Sequence, residues 1–380
     1  MHKKIKVAFV INNFLIGGVE RLFFDIISNF DKNKYDVEVI TILGSGPLEK
    51  SFYSLGVPIR FACPWKLSSR RLPLKIYWLI IAPITLLRLV LFLLKSKPDI
   101  VFSSLYQADI VGMVASKIVG IKERIIFQGD VQKFNKVINH VKKIFALNLS
   151  THIISNSETV KRFLIEHFKV ESQKITTIYS GINYVRFEKG RKDEKFSSIP
   201  TIGIIGRLVE VKGHIYALQA LKILKDKYNL SPDVLIAGDG PLRHELEKYV
   251  SENGLSGVKF LGSITDVVTV LQKIDILVVS SLSEGFGLVI IEGMVSGKVV
   301  VASDIEVMHE LIVDGQDGLL FKQRNSVSLA EVLKKVLVND NERKEIQKNT
   351  YISVEEKKKL YDVKEVSLSF QKFIDFLFRT

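Results

Sequence analysis

Residues 283–304 read SEGFGLVIIEGMVSGKVVVASD and indicate one strand-helix-strand unit. The apolar run at residues 276–280 predicts a strand, residues 288–296 predict a helix, and residues 299–302 predict the next strand. Neighbouring strands joined by a helix are parallel, because a crossover connection returns the chain to the same edge of the sheet. The stretch therefore predicts an α/β fold built on parallel sheets.

The same alternation of short apolar runs and helical stretches continues along the chain. Strands are predicted at residues 5–11, 37–42, 59–62, 100–103, 124–127, 152–155 and 175–179, and again at 201–206, 233–237, 258–261, 276–280, 299–302 and 318–321. The polar stretch EKGRKDEKFSS at residues 188–198 interrupts the pattern and is typical of a linker. We therefore predict two α/β domains, residues 1–195 and 196–362. An amphipathic helix at 363–380 follows, and the sequence leaves open whether it completes the first domain.

Composition narrows the class of protein. The chain has 380 residues, of which 47% are hydrophobic, so a disordered protein is excluded. Its one cysteine, Cys63, permits no internal disulfide and favours a reducing compartment. The first apolar run, residues 7–11, is too short for a secretory signal peptide. We therefore expect a cytoplasmic location.

The net charge of +13 is concentrated in the first half of the chain. Residues 1–200 contain 31 Lys and Arg against 16 Asp and Glu, and residues 51–150 contain 15 against 4. A basic and apolar domain favours an anionic membrane surface. Nucleic acid is the competing partner, but the chain has no RNP-like aromatic run, no Cys/His finger and no basic heptad region. We therefore expect no nucleic-acid partner.

The most apolar segment is residues 76–94, where Thr85 and Arg88 are the only interruptions. A helix that is apolar on all sides is buried in protein or in lipid. The length is close to the ~20 residues of a membrane span, but Arg88 and a kink expected at Pro83 oppose a crossing. Three alternatives follow: a helix in the membrane interface, which is favoured, a core helix or dimer surface, and a span.

Two carboxylates of residues 283–304 are candidates for chemistry. Glu284 lies in the loop after the strand, and Glu292 lies eight residues later in the predicted helix. Ligands of open α/β sheets bind at the carboxyl ends of strands. The backbone amides of Gly287, Leu288 and Val289 at the helix start favour a phosphate, and Glu292 is suited to a ribose diol. The alternative is that Glu284 caps the helix and Glu292 is solvated.

A second group of candidates is GRLVEVKG at residues 206–213, after the first predicted strand of the second domain. Arg207 can bind phosphate oxygens with two donors, and Lys212 adds a compact charge beside it. The seven histidines are scattered and no Asp-X-Asp occurs, so we expect no metal and no cofactor. The cations of the protein would then stabilise a leaving diphosphate.

Glycine-rich turns mark two further places. GGVER at residues 17–21 follows the first strand, where Gly18 would let a ligand approach the backbone. The dinucleotide pattern G-X-G-X-X-G is absent there. In GDGP at residues 238–241 the two glycines have the required spacing, but Arg243 stands at the third glycine position. Nicotinamide and flavin cofactors are therefore disfavoured.

These motifs occur together with FLG at residues 260–262 and ELIVDGQDGLLF at residues 310–321. In this order they resemble the retaining, nucleotide-sugar-dependent glycosyltransferases of family 4, and the resemblance covers nearly the whole chain. It implies the GT-B fold, in which two Rossmann-like domains face across a cleft. The first domain would bind the acceptor and the second the donor.

The resemblance also implies roles for individual residues. Arg207 and Lys212 are similar to the pair that binds the donor diphosphate. Glu284 and Glu292 match the family's E-X7-E pattern, with Glu284 at the transferred sugar in a positioning and electrostatic role and Glu292 at the ribose. The remaining donor-binding residues that it implies are Gly18, Ser263, Ile264, Phe286, Gly287 and Leu288.

The sequence departs from the family at two places. Many relatives have a histidine after the fifth strand, whereas residues 126–130 read IFQGD here, and it is open whether Gln128 or Asp130 replaces it. The Asn-Gly-Val-Asp that often precedes the linker reads SGIN at residues 180–183. Neither departure affects the pair that is expected to bind phosphate.

From the residues and the resemblance together we expect a retaining enzyme that transfers a sugar from a nucleotide diphosphate sugar to a lipid-linked or polysaccharide acceptor, with a UDP-sugar as the favoured donor. It would attach peripherally to the inner face of the plasma membrane. The alternatives are a UDP-sugar epimerase of the same fold, a two-domain binding protein without catalysis, and a transferase with a soluble acceptor.

Overall fold

The computed structural model describes residues 3–15, 17–64, 81–131, 137–191 and 200–378. The chain divides into two compact units, the first formed by Met1–Gly181 with Val363–Thr380 and the second by Ile182–Asp362. The two units thus divide after Gly181. The domain boundary predicted from the sequence, at residue 195, falls within residues 192–199, which lie outside the described residues. The last helix of the chain belongs to the first unit.

The described residues of the first unit form a seven-stranded parallel sheet in the order β3-β2-β1-β4-β5-β6-β7. Its strands are β1 (Ile5–Ile11), β2 (Tyr35–Thr41), β3 (Ile59–Phe61), β4 (Ile100–Ser104), β5 (Glu123–Gln128), β6 (His152–Ser155) and β7 (Ile175–Thr177). Its helices are α1 (Gly18–Ser28), α2 (Glu49–Ser54), α3 (Ala82–Ser96), α4 (Tyr106–Val119), α5 (Val137–Leu149), α6 (Glu158–Phe168) and, at the end of the chain, α16 (Val363–Leu377).

Helix α16 packs into the core of the first unit. Phe370 is fully buried, and its ring lies 6.0 Å from those of Phe102 on β4 and Phe127 on β5. The Ser367 hydroxyl donates a hydrogen bond of 2.9 Å to the backbone oxygen of Ile26 on α1. Aromatic pairs of this kind add to the free energy of area burial. The sequence left the place of this helix open, and the structure assigns it to the first unit.

The second unit has a six-stranded parallel sheet in the order β10-β9-β8-β11-β12-β13. Its strands are β8 (Ile202–Ile205), β9 (Val234–Ala237), β10 (Val258–Gly262), β11 (Ile276–Val279), β12 (Val299–Asp304) and β13 (Leu319–Lys322). Its helices are α7 (Tyr184–Glu188), α8 (His214–Tyr228), α9 (Arg243–Glu252), α10 (Val268–Leu271), α11 (Leu288–Val295), α12 (Met308–Leu311), α13 (Ser326–Val338), α14 (Asp340–Glu356) and α15 (Lys358–Tyr361).

In both sheets the order of successive strands reverses next to the first strand of the unit. Strand β1 pairs with β4 in the first unit, and β8 pairs with β11 in the second, with Val278 beside Ile204. In open α/β sheets such a switch point separates two loops at the carboxyl ends of the strands and leaves a crevice for ligands. The fold therefore brings the loop after β8 and the loop after β11 together, although they lie about 70 residues apart in the sequence.

The apolar segment predicted at residues 76–94 is described only from residue 81 onward. Helix α3 buries one face, with Leu89 and Leu93 inaccessible to solvent, and exposes the other, where Leu87 and Leu91 are 61% and 55% exposed. Pro83 lies in the first turn of α3. In the first turn of a helix a proline needs no hydrogen-bond partner for its nitrogen. Residues 76–80 lie outside the described residues, so the kink expected at Pro83 stays a prediction.

None of the helices within the described ranges is both long enough and apolar enough to cross a bilayer.

Candidate active site

The site is built where the loops after β8 and β11 meet. The backbone amide of Leu282 donates to the oxygen of Val211 at 2.7 Å, and the Ser280 hydroxyl donates to the oxygen of Lys212 at 3.0 Å. Gly213 has φ +62°, and a Cβ there would lie 2.1 Å from the oxygen of Ser280. Only glycine permits this approach. The contact and the two hydrogen bonds therefore fix the position of one loop relative to the other.

The side chains of Lys212 and Glu284 form an ion pair across these loops. The Lys212 side chain is 22% exposed and that of Glu284 is 11% exposed. The same carboxylate oxygen, Oε1, accepts a hydrogen bond of 2.7 Å from the hydroxyl of Ser281. The structure therefore joins two of the three residues predicted to be catalytic and adds a serine that sequence reasoning missed.

The third predicted residue, Arg207, lies at the carboxyl end of β8 and is exposed. Its backbone is fixed on both sides. Nε2 of His214 lies 2.9 Å from the oxygen of Arg207, and the amide of Leu208 donates to the oxygen of Asp239 at 3.0 Å. Burial lowers the pKa of His214, so this imidazole is neutral at pH 7. A fixed backbone with an exposed guanidinium suits the binding of an anionic ligand.

Helix α11 begins beside this pair. Gly287, with φ +94°, precedes Leu288, the first residue of the helix. The unsatisfied amides of a helix start and the helix dipole both favour an anion. Glu292 lies on the same helix and is half-buried. The Phe286 ring is buried, with its centroid 5.5 Å from that of Tyr361, and its expected place beside the sugar and phosphate stays a prediction.

Ser263 and Ile264 follow β10, two strands away from β8 in the sheet. The loop after β9 lies between the end of β10 and the loop after β8. The backbone amide of Gly238, in that loop, donates to the oxygen of Gly262 at 2.8 Å. A Cβ on Gly238, which has φ +148°, would lie 1.8 Å from the oxygen of Gly206. The carboxyl edge of the second unit is therefore one continuous, tightly packed surface from β10 to β11.

Two expected groups belong to the first unit. Gly18 is exposed and is the first residue of α1. The buried side chain of Gln128 donates to Oδ1 of Asp130 at 2.5 Å and to its backbone oxygen at 3.0 Å. Since Asp130 is exposed, Gln128 holds a carboxylate in place at the end of β5.

Sequence reasoning missed Ser280 and Ser281, because serines after strands are common and no motif spacing marks these two. The available signal was their position, since two adjacent polar residues directly follow the buried run ILVV of β11. Polar groups at that end of a strand are placed to meet ligands. Sequence reasoning also missed His214, because its burial is visible only in the structure.

Both halves of the chain match models of known protein families. A model described as Glycosyltransferase Family 4 matches residues 16–186, and one described as Glycosyl transferases group 1 matches residues 185–353. Among relatives, the chain is 32% identical over 208 residues to an uncharacterized glycosyltransferase of Methanocaldococcus jannaschii, an alignment that spans 54% of this chain and 55% of that protein.

A second relative aligns over most of both chains. It is the UDP-Gal:alpha-D-GlcNAc-diphosphoundecaprenol alpha-1,3-galactosyltransferase of Escherichia coli, 27% identical over 358 residues, which are 88% of each chain. Among solved structures, the Anabaena protein HepE in complex with UDP and glucose superposes with a TM-score of 0.79 at 20% identity, covering 98% of this chain and 99% of that one. The superposition shows the GT-B fold, with two Rossmann-like domains. The two family models together match residues 16–353, and the chain is an enzyme that belongs to glycosyltransferase family 4.

Proposed function

We propose that the protein transfers a sugar from a UDP-sugar to a lipid-linked saccharide with retention of the anomeric configuration. The observation that carries the proposal is the ion pair of Lys212 and Glu284 beside the start of α11, with Arg207 in the same loop as Lys212, directly after β8. This arrangement offers two cations and a helix start to a diphosphate, and one carboxylate to a sugar.

In this mechanism Arg207 and Lys212 bind the donor diphosphate and stabilise the charge that develops on it as the bond to the sugar breaks. Glu284 positions the transferred sugar and stabilises positive charge at its anomeric carbon. Glu292 accepts hydrogen bonds from the ribose diol, and the backbone at Ser263 and Ile264 contacts the base. Metal and cofactor have no role in the proposal.

The donor and acceptor classes are supported by the relatives. The name of the Escherichia coli relative states UDP-Gal as donor and a diphosphoundecaprenol-linked sugar as acceptor. The HepE structure contains UDP and glucose. The acceptor is therefore proposed to carry a lipid, and the first unit is proposed to bind it.

A surface of the first unit supports attachment to a membrane. Leu87 and Leu91 on the outer face of α3 are exposed, as are Val141 and Phe145 on α5. Large exposed apolar patches mark interaction sites, and exposed lysines, among them Lys97, lie in the same part of the chain. Apolar side chains beside cations match an anionic lipid surface. We propose that this surface attaches the enzyme to the inner face of the plasma membrane.

Donor binding is tested first. Ligand-observed NMR with UDP-glucose, UDP-N-acetylglucosamine, UDP-galactose, GDP-mannose and NAD should show saturable binding of a UDP-sugar to the wild type and its loss in Glu292→Ala. Binding of no nucleotide sugar would overturn the proposal and favour a binding protein without catalysis. Conversion of the donor to its epimer without any acceptor would favour an epimerase.

Membrane attachment is tested by sedimentation with vesicles that contain phosphatidylglycerol. The wild type should sediment with them, and the double variant Leu87→Ser and Leu91→Ser should remain largely in solution. The matched control is Ile352→Ser, because Ile352 is 52% exposed but belongs to the second unit. Equal sedimentation of the α3 variant and the control would contradict the proposed surface.

A further inference from the structure

We propose that Ser281 is a positioning residue that holds the Glu284 carboxylate when Lys212 leaves it for the donor diphosphate. The inference rests on the proposed function, because it assigns to Ser281 a task during donor binding. It concerns a residue to which the sequence motifs assign no role.

The first observation is the sharing of one oxygen atom. Oε1 of Glu284 accepts from both the ammonium of Lys212 and the hydroxyl of Ser281. Ser281 is 1% exposed and follows β11 by two residues, so its hydroxyl is carried by the rigid sheet. Lys212 reaches the same oxygen through a long, partly exposed side chain. One donor is therefore fixed and the other is free to move.

The second observation concerns the backbone beneath Lys212. The hydroxyl of Ser280 holds the oxygen of Lys212, and the amide of Leu282 holds the oxygen of Val211. Gly213 contacts the oxygen of Ser280 so closely that no side chain fits between them. The backbone of Lys212 therefore stays in place, and only its side chain can turn toward a ligand.

The energetic argument follows from these two observations. A diphosphate attracts the Lys212 ammonium away from Glu284, which leaves a carboxylate that is only 11% exposed without its cation. A buried charged group that loses a partner keeps the cost of its desolvation without the contact that offset it. The Ser281 hydroxyl lowers that cost because it still donates to Oε1. Without it, Lys212 would be held more strongly by Glu284 and UDP would bind more weakly.

The test measures the dissociation constant of UDP by calorimetry in a double-mutant cycle. Ser281→Ala should weaken UDP binding about tenfold, and Ser281→Thr, which keeps the hydroxyl, should stay within about threefold of the wild type. In the Glu284→Ala background, Ser281→Ala should change the constant less than about twofold, because its only action is through Glu284. The matched control is Ser296→Ala, which removes a buried hydroxyl that donates to Phe187 at the far end of α11.

The outcomes separate the inference from the proposed function. Absence of UDP and UDP-sugar binding to the wild type would overturn the proposed function. Binding to the wild type together with an unchanged Ser281→Ala variant would overturn only the role of Ser281. The role of Ser281 would also be overturned if Ser281→Ala weakened UDP binding tenfold in the Glu284→Ala background. Such a loss would show that Ser281 acts independently of Glu284. Should Ser281→Ala fail to fold, Ser281→Cys gives the same comparison, because a thiol of similar size is a weak donor.

Discussion

Each unit of the protein contains a lysine and a serine that donate to one carboxylate, and the serines lie on or directly after corresponding strands. In the first unit Lys143 donates to Asp109 at 2.6 Å, and Ser103, on β4, donates to the same carboxylate at 2.9 Å. In the second unit Lys212 and Ser281, the latter just after β11, donate to Glu284. Strands β4 and β11 hold the same position, since each pairs with the first strand of its unit.

The two groups differ in burial. The side chains of Lys143 and Asp109 are 3% and 1% exposed, whereas those of Lys212 and Glu284 are 22% and 11% exposed. A fully buried pair has no access to an anion from solution, and breaking it leaves an uncompensated charge. A partly exposed pair can exchange one partner for a ligand. A lysine, a carboxylate and a serine thus join a strand and two helices in the first unit, and in the second unit they form the site proposed to bind the donor.

The largest expected effect is on the buried pair. Lys143→Met should lower the free energy of unfolding by about 3–5 kcal/mol, because it leaves the Asp109 carboxylate buried without its cation. Urea denaturation followed by circular dichroism measures the change. The double variant Lys143→Met and Asp109→Leu should recover part of the loss, and a Lys143→Met protein as stable as the wild type would contradict the comparison.

The equivalent change in the second unit should mainly lower UDP affinity and affect the free energy of unfolding less. Lys212→Met should lower UDP affinity about 100-fold, or about 2.7 kcal/mol, because one of the two proposed phosphate-binding cations is lost. Its free energy of unfolding should fall by less than that of Lys143→Met, since the Glu284 carboxylate is partly exposed and keeps the hydrogen bond from Ser281. Calorimetry with UDP and urea denaturation on the same sample measure both quantities. A large loss of stability with intact UDP binding would show that both pairs are structural.

A third prediction concerns Asp25, a half-buried carboxylate on α1 of the first unit. Burial raises the pKa of Asp25 to about 6. The native state then binds a proton more tightly than the unfolded state between about pH 4 and 6, so this carboxylate lowers stability as the pH rises through that range. Asp25→Asn should therefore raise the free energy of unfolding by about 2 kcal/mol at pH 8 and by less at pH 5. Asp36→Asn, at an exposed position, serves as the control and should change little at either pH.

The smallest expected effect is a gain of binding. Glu284→Gln removes the carboxylate that competes with the diphosphate for Lys212, so UDP should bind about threefold more tightly. Transfer of the sugar should be lost in the same variant, because the amide carries no charge to stabilise the sugar. Weaker UDP binding in Glu284→Gln, measured by calorimetry, would show that Glu284 supports the binding of the diphosphate instead of competing with it.

The strands of both sheets were largely predictable from the sequence, whereas the side-chain contacts between distant loops were not. Apolar runs such as residues 276–280 locate every strand of both sheets to within two residues of its ends, because buried parallel strands are nearly continuous in apolar residues. The sequence also singled out Arg207, Lys212 and Glu284. It could not show that Lys212 contacts Glu284 or that Ser281 shares the contact, since these residues meet only through the pairing of β8 with β11, which are not consecutive.

The buried group of the first unit was not predicted at all. Lys143 lies in a helical stretch among other basic residues, where a solvated position is the usual outcome. Its burial depends on the packing of α5 beside α4, which brings it to Asp109, 34 residues earlier. Contacts of this kind depend on tertiary packing, which periodicity does not report.

The place of helix α16 has a consequence for the synthesis of the protein on the ribosome. The first unit lacks Phe370 and its neighbours until the 181 residues of Ile182–Asp362 have been translated. At about 5–20 residues per second this takes roughly 10–40 s, during which the aromatic cluster around Phe102 and Phe127 lacks its last partner. The second unit, by contrast, is continuous in sequence and can fold as soon as it emerges. We therefore expect the nascent chain to complete its later half first and to be most open to chaperones in its earlier half.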